Sequence, residues 1–314
     1  MKKYILKRLL LLIPILLGIT FLSFAMMRIA GSDAVLQKAD TSGIALSQEV
    51  IDAQRARLGL DQPFLVQYFR WLGGFLTGDL GVSYVSGKDV FATFVSKLPA
   101  TLLLTGTSIL LTVVISIPLG ILSAVKQNKW IDYLIRVCSF IGNSLPNFFV
   151  ALVLMYLLAI CVPVFPVISG DLSLRSAALP ALTLAAAMSA KYLRQVRAAV
   201  LDELGKDYVT GARARGVRFS VTLWKSVLRS CLVTILTLLA LSIGSLLGGT
   251  AVVESIFMWD GVGKLAVDAI SMRDYPMIQA YVVWMAVIYV MVNLVTDIVY
   301  RVLDPRIRLG GEEA

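Results

Sequence analysis

The sequence predicts an all-α, polytopic integral membrane protein with six transmembrane helices. Three observations carry that reading. Hydrophobic residues make up 58% of the 314 positions and charged residues only 16%, where soluble domains run near a quarter charged. Residues 9–27, 98–125, 137–170, 230–253 and 275–296 contain no Asp, Glu, Lys or Arg, and a helix needs about 20 apolar residues to cross a hydrocarbon core. A sixth, shorter run at residues 176–190 ends at Lys191, whose long side chain can snorkel to the interface together with that of Arg194.

The first run follows Lys2, Lys3, Lys7 and Arg8. It is longer than a signal-peptide core, and no small-x-small cleavage site follows it closely, so an uncleaved first span over residues 1–30 is expected. Residues 31–97 read as a non-cytoplasmic segment, and the stretch 28–97 carries seven basic and seven acidic side chains. Within it, residues 48–58 and the aromatic-rich residues 67–75 predict short helices, the second lying at the lipid interface. Gly78-Asp79-Leu80-Gly81 predicts a turn. A transmembrane core over residues 98–304 contains the loop at 191–229, and residues 305–314 form a tail.

Charge sets the orientation. With six crossings, the tails and the loops at 126–136 and 191–229 share one side, which collects 19 of the 29 Lys and Arg residues. The positive-inside rule makes that side, and both termini, cytoplasmic. The overall +9 charge is thus a signature of topology, and nucleic acid is not an expected partner.

Several residues inside the spans are unusual there. Pro118 and Gly120 fall in the second span, Gly142 and Pro146 in the third, and proline kinks a helix by removing backbone bonds. Asn143, Ser144 and Asn147 surround Pro146. Polar groups in lipid face protein or a water-filled cavity, so these three, with Ser242 and Ser245 of the fifth span, either join helices or line a solute path. Ser242, Gly244, Ser245, Gly248 and Gly249 also permit close helix packing. Asp297 stands one turn from Arg301, a spacing for an ion pair. Cys138, Cys161 and Cys231 match no metal or redox spacing and are expected as small apolar core residues. The chain has no histidine, so neither the commonest catalytic base nor the commonest metal ligand is available. No catalytic residue, bound cofactor or metal site is expected.

The loop at 191–229 reads KYLRQVRAAVLDELGKDYVTGARARGVRFSVTLWKSVLR. It keeps helical periodicity, with Val200, Leu201, Leu204 and Tyr208 on one face. A break is expected at Gly211-Ala212, followed by Ala214 and Gly216, where small residues let another surface approach the backbone. Flanking arginines suit carboxylates on a partner. On these grounds a protein docking site and an anionic-lipid patch both remain open.

Asp207-Tyr208-Val209, Ala212-Arg213-Ala214-Arg215-Gly216 and Leu228-Arg229 resemble the EAA loop of ABC importer permeases, in the dipeptide/oligopeptide/nickel branch. The resemblance runs the length of the chain. It includes Leu58-Gly59-Leu60-Asp61-Gln62-Pro63, Gly78-Asp79-Leu80-Gly81, Leu98-Pro99-Ala100-Thr101, Ser144-Leu145-Pro146-Asn147-Phe148, Glu254-Ser255-Ile256-Phe257, Arg273-Asp274-Tyr275-Pro276 and Asp304-Pro305-Arg306-Ile307-Arg308. One departure is Gly31-Ser32-Asp33-Ala34, where the branch has Gly-Asp-Pro.

The resemblance implies a type I ABC importer transmembrane fold in a bacterial inner membrane. It implies a second homologous permease subunit, two cytoplasmic ATPase subunits that carry the ATP and magnesium, and an extracytoplasmic solute-binding protein. Asp207, Tyr208, Ala212, Arg213, Ala214, Arg215 and Gly216 would then dock the ATPase through a coupling helix. Gly261-Val262-Gly263-Lys264 is no phosphate loop, because Met258 occupies the first glycine position and Leu265 follows the lysine. A self-contained secondary transporter would show inverted repeats and paired intramembrane charges, and an intramembrane enzyme a nucleophile–base pair; neither pattern is present in the sequence. The connection at residues 164–178 is short, as in nickel-type members, which implies nickel or a metal–chelate complex as solute, with di- or oligopeptides as the alternative.

Overall fold

The computed structural model describes residues 2–29, 47–168 and 170–303. Every regular element among them is helical: α1 Lys2–Ile29, α2 Gln48–Leu58, α3 Phe64–Thr77, α4 Val90–Val125, α5 Trp130–Ser144, α6 Asn147–Met155, α7 Leu174–Leu204, α8 Asp207–Ala214, α9 Phe219–Thr222, α10 Leu228–Gly249, α11 Ala251–Ile256, α12 Val262–Ser271 and α13 Tyr275–Leu303. This is the all-α outcome that lipid requires, since helices satisfy their backbone groups internally. The stretches Leu10–Ile29, Val90–Val125, Phe219–Thr237 and Tyr275–Thr296 are long and apolar enough to cross a membrane. The motifs at 31–34 and 304–308 lie outside the described residues, as do the side chains of Asp297 and Arg301.

The expected third span is not a kinked helix but a broken one. α5 and α6 meet at 105°, with Leu145 (φ −83°, ψ 134°) and Pro146 (φ −63°, ψ 142°) both extended between them. A residue before proline is pushed out of the helical region, and proline itself is accepted where a helix begins. α6 then widens into a π-helical turn at Tyr156–Cys161. The expected fourth span is also longer than its apolar run. α7 is one helix of 31 residues, about 46 Å long at 1.5 Å per residue, and it carries residues 191–204 of the loop on the same rigid axis.

The chain forms two compact units, Met1–Pro99 with Asp260–Val290 and Ala100–Trp259 with Met291–Ala314. In the first, α3 packs on α1 through aromatic edges. Phe21 and Phe24 meet Phe64 and Tyr68 at 5.3–5.7 Å between ring centres, and the Tyr68 and Thr20 hydroxyls share a hydrogen bond of 3.0 Å. The expected interfacial helix is therefore seated on the first span, with Leu65, Phe69 and Leu76 left exposed. Gly78 and Gly81 adopt φ of 83° and 75°, the left-handed turn that the sequence predicts there. Asp274 is buried and accepts hydrogen bonds from the Ser83 hydroxyl and the Tyr84 amide. Lys264, in the segment that superficially resembles a phosphate loop, pairs with Asp268 instead.

In the second unit α7 is the central element, with Leu179, Leu184, Tyr192, Val196 and Val200 almost fully buried. Close packing is seen on α7; the side chains of residues 242, 244, 245, 248 and 249 of the fifth span lie outside the described set. A Cβ added to Gly120 would lie 2.7 Å from Val196 Cγ1 and 3.0 Å from the Leu193 carbonyl, and one on Gly142 would lie 3.3 Å from Ala190 Cβ. The Ser139 hydroxyl donates to the Ala190 carbonyl in the same contact. Glu254 is fully buried and accepts a 2.9 Å hydrogen bond from the Thr101 hydroxyl, while the Trp259 indole N–H donates to the Ala100 carbonyl at 3.0 Å. Two motifs some 150 residues apart in the chain thus meet because each supplies what the other's buried polar group lacks. Of the cysteines only Cys231 is buried; Cys138 and Cys161 are exposed, as an apolar thiol can be on a surface that faces lipid.

Asp132 ties three helices of this unit together. Arg197 of α7 donates from Nε and Nη2 to its two carboxylate oxygens, each at 2.9 Å. The Ser123 hydroxyl of α4 donates to Oδ1, and the Asn128 amide to Oδ2 at 3.0 Å. Asp132 has no exposed surface.

Two stability predictions follow from these contacts. Gly120→Ala should destabilise the purified protein by roughly 1–3 kcal/mol, the usual cost of overpacking, while Gly106→Ala, with open space around it, should not; thermal unfolding in detergent compares them. Removing one partner of a buried ion pair costs roughly 3–5 kcal/mol, and replacing both with apolar residues costs less. Arg197→Met should therefore lower the unfolding midpoint more than the double change Asp132→Leu with Arg197→Met.

Candidate functional site

The loop after α7 builds a short, outward-facing helix. α7 stops at Leu204, Gly205 and Lys206 turn the chain, and α8 runs from Asp207 to Ala214. Asp207 stands in its first turn and Arg213 in its last, the arrangement that suits the helix dipole. The expected break at Gly211-Ala212 is absent, since both residues lie inside α8. The chain turns instead at Gly216, whose φ is 75°. There the Gly216 amide bonds the Arg213 carbonyl at 3.0 Å and the Val217 amide bonds the Ala212 carbonyl at 3.1 Å, closing the helix through a left-handed glycine.

α8 has two faces. Val209 is buried in a cluster with Val196, Val200, Leu223 and Val227, and Ala212 is buried as well. Asp207, Tyr208, Arg213, Ala214, Arg215 and Gly216 are exposed. Ala212 therefore belongs to the seat of the helix, not to the surface offered to a partner. That surface consists of Ala214 and Gly216 between the guanidinium groups of Arg213, Arg215 and Arg218, all exposed. It can accept a close backbone approach and pair with carboxylates.

Glu203, the last acidic residue of α7, fixes the angle between α7 and α8. It is buried, forms an ion pair with Lys206 and accepts a 3.1 Å hydrogen bond from the Tyr208 hydroxyl. Burial pushes the Glu203 carboxyl up, but Lys206 and Tyr208 together hold it below its ordinary value. The Tyr208 phenol is pushed up to about 12, by burial first and then by the Glu203 carboxylate beside it. Sequence reasoning missed Glu203, Asp132 and Arg197. Glu203 could have been read from its place five residues before Tyr208. The Asp132–Arg197 pair spans 65 positions and leaves no local signal.

The second group of candidate residues sits at the α5–α6 break. Asn143, Ser144 and Asn147 are all exposed on this chain, and the Ser144 hydroxyl donates to the Phe140 carbonyl at 2.9 Å. They form one polar patch beside exposed Phe148 and Phe149. Ser242 and Ser245 lie on α10, and their side chains are outside the described set. No group of three or more carboxylate or thiol residues that could hold a metal occurs among the described residues.

The Glu203 cluster has a pH signature. A depressed carboxyl contributes stability above its unfolded value, near 4.5, and loses it as pH falls through the folded value. A raised phenol contributes stability below its unfolded value, near 10.0, and loses it as pH rises towards about 12. Glu203→Gln should lower the unfolding midpoint at neutral pH and flatten both limbs of its pH dependence. Unchanged limbs in that variant would dissociate the cluster from stability.

Residues 116–309 match the family described as binding-protein-dependent transport system inner membrane component, and residues 1–105 match its N-terminal component. The oligopeptide transport system permease protein AppB of Bacillus subtilis (strain 168) is 41% identical over 319 residues, covering 98% of this chain and 99% of that protein. The glutathione transport system permease protein GsiC of Escherichia coli (strain K12) is 36% identical over 308 residues, with the same coverage. Inward-facing structures of the MetNI methionine ABC transporter align with a TM-score of 0.55 at 20% identity, covering 67% of this chain and 96% of theirs, a likeness of fold alone. These relatives do not support the nickel expectation. It rested on the short connection at residues 164–178 and on the total length, and surface connections vary in length without altering the scaffold that they join. The chain belongs to the binding-protein-dependent inner membrane component family and is a multi-pass permease of an ABC importer in the dipeptide/oligopeptide branch.

Proposed function

We propose that this chain forms, with a second homologous permease, the membrane path by which di- or oligopeptides enter the cell. The observation that carries the solute class is the end-to-end identity of 41% to a permease named for oligopeptide transport, joined by relatives named for glutathione, itself a peptide. Six spans with both termini in the cytoplasm agree with the charge distribution. On this reading the α5–α6 break lines the path, because interrupted helices at membrane depth are tolerated where they face a cavity.

Two cytoplasmic ATPases bind ATP and magnesium, and each permease offers one of them a coupling helix. Here that helix is α8, which contacts the ATPase through Arg213, Ala214, Arg215 and Gly216, with Asp207 and Tyr208 at its start. An extracytoplasmic binding protein delivers the peptide. α8 cannot move alone: Val209 and Ala212 are buried at its base and Glu203 clamps the turn. A displacement by the ATPases is therefore passed to α7, and through Arg197 and Asp132 to α4 and α5. Alternating access then follows as a rigid-body switch between two packed states.

In a strain lacking this chain, uptake of a labelled tripeptide should fall and return on complementation, while nickel accumulation stays unchanged. Loss of nickel accumulation with normal peptide uptake would overturn the solute reading. Ala214→Trp places bulk on the exposed face of α8 and should reduce peptide uptake at least about ten-fold, a loss of roughly 1.4 kcal/mol or more, with ATPase co-purification lost and membrane insertion retained. Normal ATPase co-purification in that variant would remove the docking assignment. Gly216→Trp is a weaker probe, because its positive φ strains any side chain whether or not a partner docks.

A further inference from the structure

We propose that the groove between the end of α4 and the start of α10 binds an anionic phospholipid. The groove lies wholly within the second unit and encloses about 930 Å³. Ile117, Ile121 and Val125 line it from α4, and Leu228, Leu232 and Ile235 line it from α10. Trp224, Lys225 and Arg229 also line it. α4 ends at Val125 and α10 begins at Leu228, so these three residues and Val125 mark the same end of the groove, and Ile117 and Ile235 the opposite end.

The two cations identify the ligand. Lys225 and Arg229 are exposed, no hydrogen bond or ion pair joins either to a group among the described residues, and no carboxylate lines the groove. Arg197 in the same unit, by contrast, is paired at 2.9 Å with Asp132. A peptide would bring an ammonium group that finds no acceptor side chain here. An apolar helix of another subunit would bury two cations without partners, which is costly. An anionic lipid satisfies both halves of the site, with acyl chains against the apolar walls and the phosphate between the cations. Trp224 is 67% exposed at that end, where an indole suits the boundary between headgroups and hydrocarbon.

A second, independent feature points to the same place. The helix widens into a π-helical turn at Leu223–Val227, which carries Trp224 and Lys225. Such turns are rare and concentrate at functional sites, because the extra residue shifts the side chains that follow. The inference rests on the chain spanning a membrane, not on which solute it carries.

The test uses the full importer complex purified in mild detergent, with native mass spectrometry after exchange into phosphatidylglycerol or phosphatidylcholine. The wild type should retain phosphatidylglycerol in preference, and Lys225→Ala with Arg229→Ala should weaken retention by about five-fold for each cation removed. Lys225→Arg with Arg229→Lys keeps both charges and should preserve it, and Ile121→Trp should reduce retention by filling the groove. Equal retention of the two lipids would overturn the proposal, as would unchanged retention in the double alanine variant. So would protection of Ile121→Cys from a lipid-soluble thiol reagent by the sister subunit with no lipid retained. Peptide uptake is scored separately, so a failed lipid test leaves the solute reading standing.

Discussion

A single buried carboxylate organises the transmembrane core. Asp132 accepts two hydrogen bonds from Arg197, one from the Ser123 hydroxyl and one from the Asn128 amide. Each carboxylate oxygen is thereby satisfied twice, which makes a fully buried charge tolerable. The geometry holds the end of α4, the start of α5 and the middle of α7 in one register. Because Arg197 meets Asp132 in a bidentate fork, rotation of α7 against α5 breaks two bonds at once. Gly120 adds a steric condition to the same place, since only a residue without a Cβ lets α4 approach Val196. Charge and close packing therefore enforce the same arrangement.

The loop after α7 extends that rigidity outwards. α7 does not end where its apolar run ends but continues to Leu204, and Glu203 then clamps α8 through Lys206 and Tyr208. The buried side of α8 is apolar, and its exposed side pairs small residues with guanidinium groups. A partner that pushes on Ala214 and Gly216 pushes on a lever already fixed at its base. The groove beside α10 is the contrasting case, where Lys225 and Arg229 have no partners among the described residues and the wall is apolar. The two basic regions are close in sequence but present different chemistry: arginines around small residues in one, cations above hydrocarbon in the other.

Much of this was legible in the sequence. The charge-free runs gave the helical class, and the charge asymmetry gave an orientation. The motif residues from Asp207 to Gly216 located the exposed helix. The errors have identifiable causes. Pro146 reads as a kink because residue type alone does not reveal how far the chain turns; with Leu145 also extended, the bend becomes 105°. Gly211-Ala212 reads as a break because glycine weakens a helix locally, but burial of Val209 and Ala212 outweighs that preference. The short connection reads as a sign of solute, although surface connections vary in length independently of the scaffold that they join.

The sequence by itself determined that the chain is a helical membrane protein with a basic loop, because lipid imposes long charge-free runs and translocation imposes charge asymmetry. Only the tertiary structure decided which residues of that loop are exposed. Exposure on a helix depends on what lies beneath it, and beneath α8 lies a cluster drawn from α7 and the residues before α10. It also decided the roles of Asp132 and Arg197, which read in sequence as ordinary charges of cytoplasmic loops. The two lie 65 residues apart, and no local pattern records a pairing made across the fold.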